Sequence, residues 1–264
     1  MSEAPKPVST PDPWHTLRSF TRARIAQGRS GASLPTEAML AFQLAHAQAR
    51  DAVHLSFDAD GIASAATPGA ALGVHSAAPS RDIYLRRPDL GRRLDEASRD
   101  RLRTLAAANL NTATPDIVFV IADGLSASAV HRHAPAVFRL ACEALLERGW
   151  HVGPLVIATQ ARVALGDEIG ELLGARQLAI LIGERPGLSA ADSLGLYLTH
   201  APRVGRVDAE RNCISNIHPD GGLSTEQAVF KLLWLMEAAR QRQLTGVGLK
   251  DESGEIGMIV PPAP

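Results

Sequence analysis

Residues 115–133, PDIVFVIADGLSASAVHRH, gather the side chains best suited to chemistry of their own. Gly124-Leu125-Ser126-Ala127-Ser128 nearly matches the G-x-S-x-G turn that lifts a nucleophilic serine above a strand, so a free-standing hydrolase using Ser126 is one reading. Position 128 is serine where that tight turn needs glycine, and His131 and His133 follow too closely to act as a distal base. The spacing suits Ser126 better as a helix N-cap. Asp123 could be a carboxylate nucleophile or Mg²⁺ ligand in the same hydrolase reading, but no second aspartate cluster accompanies it. His131 and His133, two apart on a helix, point about 200° from one another and cannot share a metal.

Two further positions carry groups of interest. QLAILIGERPGL reads as a buried strand ending at a glycine and then at Glu184, with no nucleophile or phosphate loop beside it. RNCISNIH holds Cys213, with His218 five residues on as a conceivable base for the thiol. Neither G-x-G-x-x-G nor GxxxxGK[ST] occurs, which disfavours nucleotide binding in its usual forms. These residues describe half of a binding site with no reaction of its own.

The elements that must position them are legible from residue 111 onward. PDIVFVIADG, GPLVIATQ, QLAILIGERP and SLGLYLT read as strands, most of them apolar on both faces. Helical patterns separate the first three, and STEQAVFKLLWLMEAARQRQ closes the chain as a long helix. The pattern predicts an α/β fold over residues 111–264, a Rossmann-like parallel sheet with helices on both faces. Ligands bind such sheets at the carboxyl ends of the strands. The loops ADGLSAS, ATQARVA, IGERPGL and ERNCISNIH would converge there.

Residues 13–110 read as a mostly helical N-terminal region, and residues 1–12 as a flexible, proline-rich tail. Trp14, Leu17, Phe20 and Ile25 predict one amphipathic helix, and a second opens at Thr36. ALGVHS could be a short strand and ASRDRLRTLAAANL a helix. Arg81, Arg86, Arg87, Arg92 and Arg93 surround Tyr84 in a segment broken by Pro88 and Gly91. That segment is either an anion-binding surface or a solvated loop paired with Asp82 and Asp89.

Composition bounds the rest. A formal net charge of −1 gives no electrostatic case for a nucleic-acid partner. Only three of 27 basic residues are lysines, which favours groups that fork onto carboxylates and phosphates. Two distant cysteines without CxxC spacing argue for a reducing compartment and against structural zinc. No run approaches the ~18 apolar residues of a membrane span, and the tail has no apolar core of a secretory signal. A cytoplasmic protein is expected.

Taken together and in order, RARIAQGRSGASLPT, HAQARDAV, YLRRPDLGRRL, IADGLSASAV, ARVALGDEIG, LIGERPGL, RNCISNIH and TGVGLKD closely resemble the small subunit of ethanolamine ammonia-lyase, from about Trp14 to Asp251. GERPGL and RNCISNIH are the specific motifs. The resemblance implies an adenosylcobalamin-dependent lyase that converts ethanolamine to acetaldehyde and ammonia by a radical mechanism. It implies a large subunit, a TIM barrel, that holds substrate and supplies the catalytic side chains. This chain would contribute no catalytic residue and close over the corrinoid within a hetero-oligomer of large–small pairs. Three positions match corrinoid-contacting positions of the family: Val163, Glu184 and Cys213. Glu184 would accept hydrogen bonds from corrin amides, with Val163 and Cys213 packing on the corrinoid. No D-x-H occurs, so the coenzyme is expected to keep its own base, base-on. The helices of residues 14–53 and the arginines of 81–93 become expected contacts with the large subunit. The resemblance also allows packaging in a bacterial microcompartment. A scaffold module without cofactor contact is the other alternative.

Overall fold

A computed structural model describes residues 9–67, 71–108 and 113–254. The turn at residue 110, where the helical region was expected to give way to the sheet domain, lies outside the described residues, as do the first eight residues of the expected tail.

Six strands form one sheet: β1 (Leu72–His75), β2 (Ile117–Ala122), β3 (Val156–Thr159), β4 (Gln177–Gly183), β5 (Leu194–His200) and β6 (Arg211–Ile217). Their spatial order is β1-β3-β2-β4-β5-β6. The first four run parallel, whereas β5 and β6 are antiparallel to their neighbours. The sheet is therefore mixed, a correction to the expected parallel sheet. The reason is the short link from Gly183 to Leu194, which contains no helix. A parallel return needs a crossover of a dozen or more residues, usually helical, whereas a short link turns the chain back. ERNCISNIH, expected as a loop, is mostly the edge strand β6. β1 pairs with β3, so the sheet draws in a strand from the upstream region.

Both faces of the central strands are covered, as their unbroken apolar runs require. On β2, Ile117, Phe119 and Ile121 face one core with α2 (Ala59–Ala66), α5 (Ala127–Glu147) and α7 (Thr225–Arg242). Val118, Val120 and Ala122 face the other, which includes Leu102 of α4 (Glu96–Ala108) and Ile169 of α6 (Leu165–Leu172). The alternation is the two-residue period of a strand. Leu194, Leu196 and Leu198 of β5 and Ile214 of β6 join the α5–α7 core. On the opposite side the β5–β6 ribbon extends past α6, leaving Cys213 and Ser215 exposed.

The N-terminal region departs from expectation at one element. Trp14 to Ile25 do not form an amphipathic α-helix; a single 3-10 turn spans His15–Phe20 and buries none of its residues. Phe20 is 86% exposed and Trp14 66%. A helix this short gains its stability from packing, and among the described residues nothing covers its apolar side chains. The second expected helix forms as α1 (Thr36–His54), with Met39, Leu40, Phe42 and Leu44 also exposed.

Candidate functional site

The carboxyl ends of β1, β3, β2 and β4 meet along one edge, joined by the start of β5 and the end of β6. Close backbone contact locks the centre of this edge. Gly124 adopts φ +56°, and a Cβ there would lie 2.2 Å from the Gly183 carbonyl oxygen. A Cβ on Gly183 would in turn lie 2.1 Å from the Ser126 carbonyl oxygen. Glycine is needed at both crossings. Leu125 N–H donates to the Gly183 carbonyl at 2.8 Å, so the ends of β2 and β4 move as one unit.

Glu184 follows immediately. Its carboxylate folds back over β5, where a Cβ on Gly195 would approach Oε1 to 2.9 Å. The Ser193 hydroxyl donates to Oε2 at 2.5 Å, the Ser215 hydroxyl to Oε1, and the Asn216 N–H to Oε2 at 3.3 Å. A carboxylate offers about four acceptor directions, so one remains for a ligand. Arg185 is not among its ion-pair partners.

Cys213 lies on the same outer face of β6, opposite Tyr197 of β5. Glu184 acts electrostatically on both side chains. Cys213 is exposed as a whole residue, but partial burial of its thiol raises that group above its ordinary range, and the Glu184 charge adds to the rise. The thiol is therefore neutral, a small soft contact rather than a nucleophile. His218 bonds Asn216 at 2.8 Å, which commits it to its own turn. Val163 sits in the turn between β3 and α6, half-buried against the same core that Tyr197 flanks. The structure thus brings Glu184 and Cys213 together around Tyr197 and places Val163 on the same side of the sheet.

The hydrolase candidates find other duties. Asp123 is 2% exposed. Its Oδ1 accepts from Gly124 N and Ala161 N, both at 3.0 Å, and its Oδ2 from Arg81 Nη1 at 3.2 Å. Burial raises its pKa, which those donors oppose. Ser126 is fully buried, caps α5 through Ala129 N and donates to the Ala191 carbonyl at 2.9 Å. Neither side chain is free to attack a substrate. His131 accepts from Asp58 N and stacks on Phe57, and His133 approaches Asp192 at 3.4 Å. Both have structural contacts. No group of three or more His, Cys, Asp or Glu that could hold a metal occurs among the described residues.

Residues missed by sequence reasoning include Gly195, Ser193 and Ser215, which shape the seat of Glu184. Gly195 lies on β5, Ser215 on β6 and Ser193 in the link before β5, so only the sheet register brings them to Glu184. Arg81 was noticed as one of a basic group but not as the partner of Asp123.

Residues 11–250 match the family model of the ethanolamine ammonia-lyase light chain (EutC). The chain belongs to that family. Among its relatives, the ethanolamine ammonia-lyase small subunit of Pseudomonas putida strain F1 is 57% identical over 247 residues, 92% of this chain and 90% of the relative. That of Ralstonia nicotianae is 54% identical over 252 residues, covering 95% of this chain and 92% of its own. That of Pseudomonas syringae pv. tomato is 56% identical over 256 residues, covering 96% and 88%. The matched residues include Asp123, Val163, Glu184 and Cys213, so family membership and this geometry concern the same residues.

Proposed function

We propose that this chain works with the large subunit of ethanolamine ammonia-lyase to convert ethanolamine to acetaldehyde and ammonia, and that it covers adenosylcobalamin, bound base-on, where the two subunits meet. When bound, that coenzyme supplies the radical chemistry, and the protein supplies position and electrostatics. The reading rests on family membership together with one observation: Val163, Glu184 and Cys213 lie on one side of the sheet, Val163 in the turn after β3, Glu184 just beyond the end of β4 and Cys213 along β6 opposite Tyr197.

The donor set fits such a group. Glu184 has acceptor capacity left for an amide N–H on the periphery of a large neutral ring. Cys213 and Val163 offer small apolar surface beside it, and Tyr197 a half-buried ring. The Cys213 thiol is held neutral, so it would offer the coenzyme a small uncharged contact rather than a thiolate. The role of these residues is to bind, orient and exclude water, with no catalytic group contributed by this chain.

The exposed Trp14, Phe20, Leu40, Phe42 and Leu44 form apolar surface that a partner would cover. We assign that surface to the large subunit, in a hetero-oligomer of large–small pairs, and place the complex in the cytoplasm. Among the described residues, no helix is long and apolar enough to cross a membrane.

The decisive experiment measures acetaldehyde release from ethanolamine with adenosylcobalamin, using this chain alone, the large subunit alone and the mixture. Activity confined to the mixture is expected. Inactivity in a mixture with a demonstrably competent large subunit would overturn the reading.

A further inference from the structure

Asp123 holds together elements that no catalytic role requires it to join. Through Oδ1 it fixes Gly124, at the end of β2, and Ala161, two residues before Val163. Gly124 is in contact with Gly183, and Leu125 binds the Gly183 carbonyl, so the position of Glu184 depends on the same turn. Through Oδ2 it receives Arg81, whose Nε donates to the Val53 carbonyl at 2.8 Å and whose Nη1 also donates to the Gly124 carbonyl at 2.8 Å. Val53 lies in the last turn of α1, the helix whose apolar residues await a partner.

Tyr84 braces the arrangement. Its hydroxyl donates to the Ala161 carbonyl at 3.0 Å, and the guanidinium groups of Arg81 and Arg162 lie 4.9 and 4.4 Å from its ring centre. Arg81 Nη2, Gln160 Oε1 and Arg162 Nε are buried without a hydrogen-bond partner among the described residues. A joint serving stability alone would be expected to satisfy them.

We propose that Asp123, through its pairing with Arg81, is a positioning residue that holds the turns bearing Val163 and Glu184 in register and ties both to the carboxyl end of α1. The inference rests on the coenzyme-covering role proposed above. It makes coenzyme affinity sensitive to a residue that never touches coenzyme, because a loosened turn must be ordered again on binding.

The test uses the assembled large–small complex. Asp123→Asn keeps the volume and can still accept from Gly124 and Ala161, but it turns an N–H₂ toward Arg81, donor against donor. Arg81→Lys keeps the charge beside Asp123 but cannot reach the Val53 and Gly124 carbonyls and the carboxylate together. Each variant is expected to raise the equilibrium Kd for adenosylcobalamin, titrated without ethanolamine, and the coenzyme KM alike by about tenfold, with kcat at saturating coenzyme held within about twofold and the ethanolamine KM unchanged. The double variant should be no worse than the weaker single variant, since both break one joint.

Glu184→Ala runs alongside as the reference. A raised coenzyme KM in Glu184→Ala with none in an assembled Asp123→Asn or Arg81→Lys complex would overturn the joint and leave the coenzyme reading standing. An unchanged KM in Glu184→Ala would overturn the coenzyme reading, and the joint with it. If Asp123→Asn fails to assemble, Arg81→Lys decides; failure of both to assemble would show a structural role only and overturn the inference.

Discussion

At the scale of the residue, the geometry of Glu184 is set by what is missing beside it. Gly195 has no side chain, and the carboxylate occupies the space a Cβ would need, at 2.9 Å. The obstructing atom is the tip of a flexible side chain, so Gly195→Ala should fold normally and simply push Glu184 aside. Coenzyme affinity of the assembled complex is expected to fall by about tenfold in Gly195→Ala and in Glu184→Ala alike, the loss of a hydrogen bond to a charged acceptor. Equilibrium titration with adenosylcobalamin measures it, and unchanged affinity in Gly195→Ala would mean the orientation of Glu184 is immaterial. The same carboxylate raises the Cys213 thiol. Removing it should lower that pKa, so Cys213 in the Glu184→Ala chain should react faster with iodoacetamide at pH 8 than in the native chain. Cys142, pushed up to about 12 by burial, serves as the slow internal standard in the same mass-spectrometric assay. Glu184 was visible in the sequence because it is the first charge after a long apolar run. Ser193, Gly195 and Ser215 were not, because a serine or glycine near a strand end has many ordinary uses and the sheet register alone gives these their purpose.

At the scale of the element, the question is what keeps the β5–β6 ribbon in place where α6 no longer covers it. Arg211, at the start of β6, reaches under α6 and forks onto Asp167, with its Nη2 2.8 Å from Oδ2. Both side chains are nearly inaccessible, and the Arg206 carbonyl accepts from the same Nη2 at 3.0 Å. Burial raises the Asp167 pKa while Arg211 opposes the rise. Arg211→Met should cost roughly 3–5 kcal/mol, because it leaves a carboxylate buried without its partner. Adding Asp167→Leu should recover part of that loss, since an apolar pair of similar volume avoids the desolvation cost. Urea denaturation of the two variants is the measurement, and a double variant no more stable than Arg211→Met would contradict the account. The strands themselves were legible as apolar runs between turns, and α5, α6 and α7 as helical patterns, the first opened by Ser126 as its N-cap. The direction of β5 was not legible from its own residues: SLGLYLT reads the same either way, and the short link before it decides. The helix expected at Trp14 failed because no other part of the described chain packs against its apolar residues.

At the scale of the whole molecule, burial has displaced several proton equilibria in one direction. Desolvation raises the Tyr84 and Tyr197 hydroxyls well above their ordinary value of 10.0, and the Cys142 and Cys213 thiols above 9.0. These groups stay neutral in the folded chain at a pH where the unfolded chain would release their protons. A folded pKa above the unfolded one means stability is complete below the unfolded value and drains away as pH rises toward the folded one. The window therefore opens near pH 9 for the thiols and near pH 10 for the phenols; fully buried Tyr84 contributes up to about 1.4 kcal/mol of loss per pH unit inside it, and the part-exposed Tyr197, Cys142 and Cys213 contribute less because water screens them. The chain has only two tyrosines, so phenolate absorbance at 295 nm reports Tyr84 and Tyr197 without interference from others. Titrated alone, the full chain should show no reversible phenolate signal around pH 10, then a steep rise of both tyrosines together as the fold gives way. Tyr84 carries the more informative half of that signal. It is fully buried between Arg81 and Arg162 and bonded to Ala161, at the joint beneath the Val163 turn. A smooth titration of one phenol with a midpoint near 10, in a chain still folded by far-ultraviolet circular dichroism, would show that this joint opens to water on its own.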